Sequence, residues 1–214
     1  MLCFQPIVAR FVPCTYHLSE SDIMMSGLIK SGLSEQPVFQ RIVRFIERVA
    51  SFPVLALLVL LSILFPAVLF PLHGLEDIKP LDLYFSYSPD QVYTYLATLG
   101  AQGRENYTRM LLTSDMAFPV IYSLALSTAL LLVLRKLLPL GSAWLCLFPF
   151  LIVIADWLEN LSLVMIMRKF PEQSDKIVAF ASAFTSMKWV LVILTGSILL
   201  AAMACWVAGC SRSR

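Results

Sequence analysis

Charge is scarce in this chain: Asp, Glu, Lys and Arg make up 14% of its 214 residues, against 59% hydrophobic. A soluble domain carries roughly 25% charged residues, so a fold whose whole surface meets water is excluded. Histidine is scarcer still, and His17 and His73 both stand apart from Cys, Asp or Glu at ligand spacing. The five cysteines, Cys3, Cys14, Cys146, Cys205 and Cys210, lack the short spacings of a zinc site or a redox dithiol, and they suggest no disulfide framework. A metal is therefore not expected. No glycine-rich phosphate loop occurs, and no serine or cysteine nucleophile is visibly paired with a histidine. Neither a cofactor nor a catalytic residue is assigned, and nucleic acid is not an expected partner.

Long apolar runs, by contrast, are plentiful, and the mean hydropathy is +0.80. Four stretches, at about 53–72, 116–134, 143–167 and 177–208, are long enough to cross a hydrocarbon core of roughly 30 Å at about 1.5 Å per residue. They lack the alternation of barrel strands, and backbone groups facing lipid must be bonded within their own segment, so each is read as a helix. The expectation is an all-α polytopic membrane protein, a four-transmembrane-helix bundle occupying 53–208, with a small helical cap at 73–115 between spans 1 and 2. Residues 1–38 read as a poorly ordered tail and 209–214 as a short C-terminal tail. In 39–52, Ile42, Phe45 and Val49, with Val38 just before them, share one face while Arg41, Arg44 and Arg48 occupy the rest, the pattern of an interfacial amphipathic helix. Cys205 and Cys210, at the end of the last span, read as small fillers of a helix interface, with palmitoylation of a membrane-proximal thiol as the alternative.

The cap carries its own punctuation. In Ser88-Pro89-Asp90-Gln91, serine caps a helix, proline fits its first position and glutamine completes a capping box. That helix should stop at Gly100, with a second piece starting at Gly103. Nine of the 16 Lys and Arg residues lie on the side of the N-terminus in a four-span arrangement, six lie on the other, and Lys188 falls within a span. Arg41, Arg44 and Arg48 flank span 1 and Arg135-Lys136 fill the connection between spans 2 and 3, so both termini are expected in the cytosol.

The most informative feature is charge inside the apolar runs. Asp156, Glu159 and Asn160 are spaced i, i+3 and i+4 near the middle of span 3, so they share a helix face that must look into the bundle. If 167 and 177 face each other across the short loop, antiparallel pairing sets positions whose numbers sum to about 344 at equal depth. Lys188 is then level with Asp156, and a slip of one turn brings it to Glu159. The expected cluster is Asp156, Glu159, Asn160 and Lys188, joined from span 2 by Asp115, which also reads as part of an ordinary helix start in Thr113-Ser114-Asp115. The bland reading is that these groups pair and fix helix register. The functional reading is that a surplus carboxyl, Glu159 or Asp156, holds a cationic headgroup or exchanges a proton. Arg104, Tyr107 and Arg109 in the cap are candidate lipid-headgroup contacts, set against plain interfacial anchoring.

The succession SPDQVYTYLATLGAQGRENY, DMAFPVIY, ADWLENL and ASAFTSMKW, within residues 84–195, resembles a group of small four-helix integral membrane proteins. The resemblance implies the four-helix fold and carries no activity with it. The expected function is a non-enzymatic scaffold, an assembly subunit or a lipid-binding bundle. A small proton-coupled transporter comes second and a lipid-modifying enzyme third. The expected partners are membrane lipids together with a second copy or a larger membrane assembly.

Overall fold

The computed structural model describes residues 37–69, 71–73, 79–137 and 145–212. Of the predicted N-terminal tail only residues 37 and 38 fall among these. The chain divides into two compact units, 1–41 and 42–214, and the second holds everything discussed below apart from the start of the first helix. Among the described residues there is no strand. The helices are α1 (Pro37–Val49), α2 (Phe52–Leu69), α3 (Pro89–Leu112), α4 (Ser114–Leu137), α5 (Phe150–Lys169) and α6 (Asp175–Arg212), with short 3-10 turns at Pro71–His73 and Leu81–Leu83. Four helical segments are long and apolar enough to cross a membrane, as expected.

The membrane bundle is α2, α4, α5 and α6, with α5 and α6 forming its most extensive pairing. α2 has no buried residue: it leans on α4, where Phe65 stacks on Phe118 with ring centroids 6.0 Å apart, and otherwise offers an apolar surface suited to lipid. α4 instead buries Ser123, Ser127 and Thr128, small side chains that let neighbouring backbones approach. On α1, Arg41, Arg44 and Arg48 are exposed and so are Phe45 and Val49. Ile46 packs with Ala50, Leu131, Leu132 and Cys146. Cys205 is exposed rather than filling an interface, because the end of α6 extends beyond its neighbours' contacts.

Beyond the start of α4, α5 and α6 continue and are covered by the cap. Ser88 accepts from the Gln91 amide while Gln91 accepts from the Ser88 amide, completing the capping box that opens α3. Gly100 does not end the helix but bends it, at φ 66° and ψ −177°, a conformation open essentially to glycine. The bend folds both halves of α3 onto the bundle: Val92, Leu96, Tyr107, Met110 and Leu111 are at most 1% exposed against Leu163, Ile166, Val178 and Ala181. Burying each large apolar side chain here is worth roughly 1.5–3 kcal/mol. Among the prolines within the predicted spans, Pro66 and Pro119 lie inside helices, while Pro149 immediately precedes α5.

Candidate functional site

The charged cluster lies where α4 begins and the cap closes over α5 and α6. The face shared by Asp156, Glu159 and Asn160 turns toward α6, where Lys188 Nζ lies 2.9 Å from Asp156 Oδ1 and 2.7 Å from Glu159 Oε2. The side chains of all three are at most 6% exposed. The depth register that set Lys188 level with Asp156 and the one-turn slip toward Glu159 are both realised, because the long lysine stem reaches between the two carboxylates. Asn160 Nδ2 donates to Asp156 Oδ2 and to the carbonyl of Asp115, each at 3.3 Å. That second bond ties α5 to the first turn of α4.

Glu159 has a further partner on α6. Thr185 Oγ1 lies 2.7 Å from Glu159 Oε1, 3.0 Å from the Ala181 carbonyl and 3.1 Å from the Tyr87 hydroxyl. Threonine has one hydroxyl proton, and the carboxylate at the shortest distance is its strongest acceptor. The Tyr87 phenol is then left to donate into Thr185, extending the cluster into the cap. Burial, and after it the charge of Glu159, push the Tyr87 phenol well above the ordinary tyrosine range.

The loop before α3 is fastened over the cluster by side chains of α6. Ser182 accepts from the Tyr87 amide, Ser186 donates to the Phe85 carbonyl, and Trp189 Nε1 is shared between the carbonyls of Asp82 and Tyr84. Tyr87 and Tyr93 are both buried, and the Tyr93 hydroxyl accepts from the Ser174 amide.

No family model, curated protein or solved structure matches this chain.

Beyond Glu159 and Asp156, the structure brings further acids to the cluster. Both oxygens of Asp156 and both of Glu159 have partners. The side chain left over is Asp115: it is 2% exposed, and its Oδ2 has no hydrogen-bond partner among the described residues. Asp82 Oδ1, which sequence reasoning did not single out, is buried and equally without one. Asp82, Asp115, Asp156 and Lys188 border a cavity of about 230 Å³. Its remaining walls include Phe118 and Tyr122 of α4, Trp189 and Val192 of α6, and Leu83 of the loop. Because α4 and α6 both run away from the cap, Phe118 and Tyr122 lie deeper than Asp115, and Val192 lies deeper than Lys188. The cavity is therefore polar at the cap end and apolar below.

The other sequence candidates do not converge. Tyr107 is fully buried and its hydroxyl accepts from the Leu81 amide, so it contacts protein where a headgroup was expected. Arg104 donates to the Leu96 carbonyl across the Gly100 bend and stacks over Phe170 at 4.3 Å. Arg109 is exposed and pairs with Glu105 at 3.4 Å, one helical turn away. A larger cavity of about 430 Å³, lined by Tyr84, Tyr87, Gln91 and Tyr95 among others, meets the network described above at Tyr84 and Tyr87. Among the described residues there is no cluster of metal-ligating side chains.

Proposed function

We propose that this chain is a non-enzymatic integral membrane protein that binds a lipid or another amphiphile in the cavity beneath its cap, with Lys188, Asp156 and Glu159 as the lock that holds the site's walls in register. The observation that carries this reading is the graded cavity: unpartnered buried acid at one end, Phe118, Tyr122 and Val192 at the other. Its depth supports the same reading. α4 has 24 residues, about 36 Å at 1.5 Å per residue, enough to cross a core of roughly 30 Å. Asp115, the second residue of α4, then stands at headgroup depth, and the part of α6 before Lys188 stands above the core with the cap. This also accounts for an apolar stretch in α6 longer than a bilayer requires.

Both termini lie in the cytosol and the cap on the opposite side, a topology supported by Arg41, Arg44 and Arg48 before α2 and by Arg135-Lys136 in the last turn of α4. Membrane lipids are the natural partners, and the uncovered apolar surface of α2 is compatible with a second copy or a larger assembly. A proton-coupled carrier is the second reading, favoured by the hydrogen-bonded run from Tyr87 through Thr185 to Glu159 and Lys188. Native mass spectrometry of protein extracted in mild detergent decides the leading proposal. Wild type retains a bound amphiphile, and Val192→Trp, which fills the apolar end without touching an ion, loses it. Equal lipid retention by both at matched folding would reject the proposal.

A further inference from the structure

Charge and hydrogen-bonding chemistry narrow the ligand class. Lys188 divides its charge between Asp156 and Glu159, and the remaining oxygen of each carboxylate is engaged by Asn160 or Thr185. Asp115 Oδ2 and Asp82 Oδ1 have no such supply of donors, although Asp115 is as buried as the ion pair itself. A buried carboxylate without a donor is costly, so a ligand that brings N–H groups and positive charge gains what the protein withholds. An anionic head would meet three aspartates and a lysine already committed to two carboxylates. The aromatic rings of Phe118, Tyr122 and Trp189 line the same space and favour a cation near their faces.

We infer that the cavity takes the primary ammonium head of an amine amphiphile, seated between Asp115 and Asp82, with its apolar chain running down past Phe118, Tyr122 and Val192. This rests on the amphiphile-binding reading above and adds the head chemistry. A primary ammonium is specified over a quaternary one because the two orphan oxygens need N–H donors, which a trimethylammonium lacks. The Lys188 ammonium held between Asp156 and Glu159 is the protein's own example of that arrangement one layer away.

The test uses the full chain in phosphatidylcholine nanodiscs at pH 7, with protein-free discs as the partitioning control. Decylamine, decyltrimethylammonium and decanol are titrated while the fluorescence of Trp189, which lines the cavity, is followed. The expected order places decylamine at least tenfold tighter than the other two. Asp115→Asn should weaken decylamine at least tenfold and leave decanol unchanged. Should that variant fail to fold, Asp82→Asn replaces it with the same expectation. Equal affinity for decylamine and decanol, or decylamine binding untouched by the folded variant, would overturn the amine assignment while leaving the amphiphile site standing. Saturable binding of none of the three probes would remove both.

Discussion

Substituting Lys188 tests the lock at its centre. Lys188→Met keeps most of the side-chain volume but leaves Asp156 and Glu159 one turn apart on the same face of α5, each short of its nearest cation. Removing one partner of a buried pair costs about 3–5 kcal/mol, and here two carboxylates are orphaned at once, so the upper part of that range applies. For a chain of this size each kcal/mol moves a melting temperature by roughly 2–4 °C, giving an expected fall of about 10–20 °C. Asp156→Asn should cost less, because Lys188 keeps Glu159 at 2.7 Å and the new amide still meets Asn160. Combining Lys188→Met with Asp156→Asn removes one of the orphaned charges, so the double variant should be more stable than the sum of the two losses by about 1–3 kcal/mol. Thermal unfolding in a fixed detergent, followed by tryptophan fluorescence and by circular dichroism, supplies the four corners of the cycle. Additive losses, or an Asp156→Asn variant as damaged as Lys188→Met, would refute the geometry of a single lysine bridging two acids.

Other consequences are independent of that cycle. Gly100→Ala should cost about 1–3 kcal/mol, measured as a lower melting temperature; nothing lies within 4 Å of the added methyl group, so the cost comes from forcing an L-residue to φ 66°. Ser88→Ala, which removes one half of the capping box, should lose roughly 0.5–2 kcal/mol by the same assay. Trp189→Phe frees the carbonyls of Asp82 and Tyr84, so hydrogen exchange should rise in residues 81–88 and stay unchanged in α5. Tyr87 retains its proton to higher pH when folded than when unfolded. Its contribution is complete below the unfolded phenol value of about 10 and disappears as pH climbs above it. Melting temperatures should therefore fall above about pH 10, and Tyr87→Phe should show a shallower decline.

Much of the architecture was legible because bilayer physics writes itself into composition. Runs such as 53–72 leave little choice of structure, and the i, i+3, i+4 spacing of Asp156, Glu159 and Asn160 with a lysine at matching depth points to one interhelical cluster. The capping box was equally direct, since both bonds are local. Gly100 was read as a stop because the sequence marks a left-handed residue without saying whether the chain continues as helix beyond it. The acids beyond Asp156 and Glu159 were the hardest to see. That pair stands out within an apolar run, whereas Asp115 resembles an ordinary helix start and Asp82 an ordinary loop residue; only tertiary packing brings them to one cavity with Lys188. Arg104, Tyr107 and Arg109 suggested a headgroup site by their chemistry, but the bend at Gly100 turns Tyr107 into the core and engages Arg104 with Leu96. Thr185 and Trp189 carried no signal of their own, because what distinguishes them is the cap that folds back onto α6.

The central claim is that an amphiphile occupies the space beneath the cap, and photolabelling tests it most directly. A neutral fatty alcohol bearing a diazirine in its chain, equilibrated with the protein in nanodiscs and irradiated, should leave adducts concentrated on the α4 and α6 peptides that contain Phe118, Tyr122 and Val192. Excess unlabelled alcohol and Val192→Trp should each suppress them. Adducts spread over the outer faces of α2 and α6, with none competed away at those residues, would mean that the protein meets lipid only as solvent and that the cavity is not a binding site.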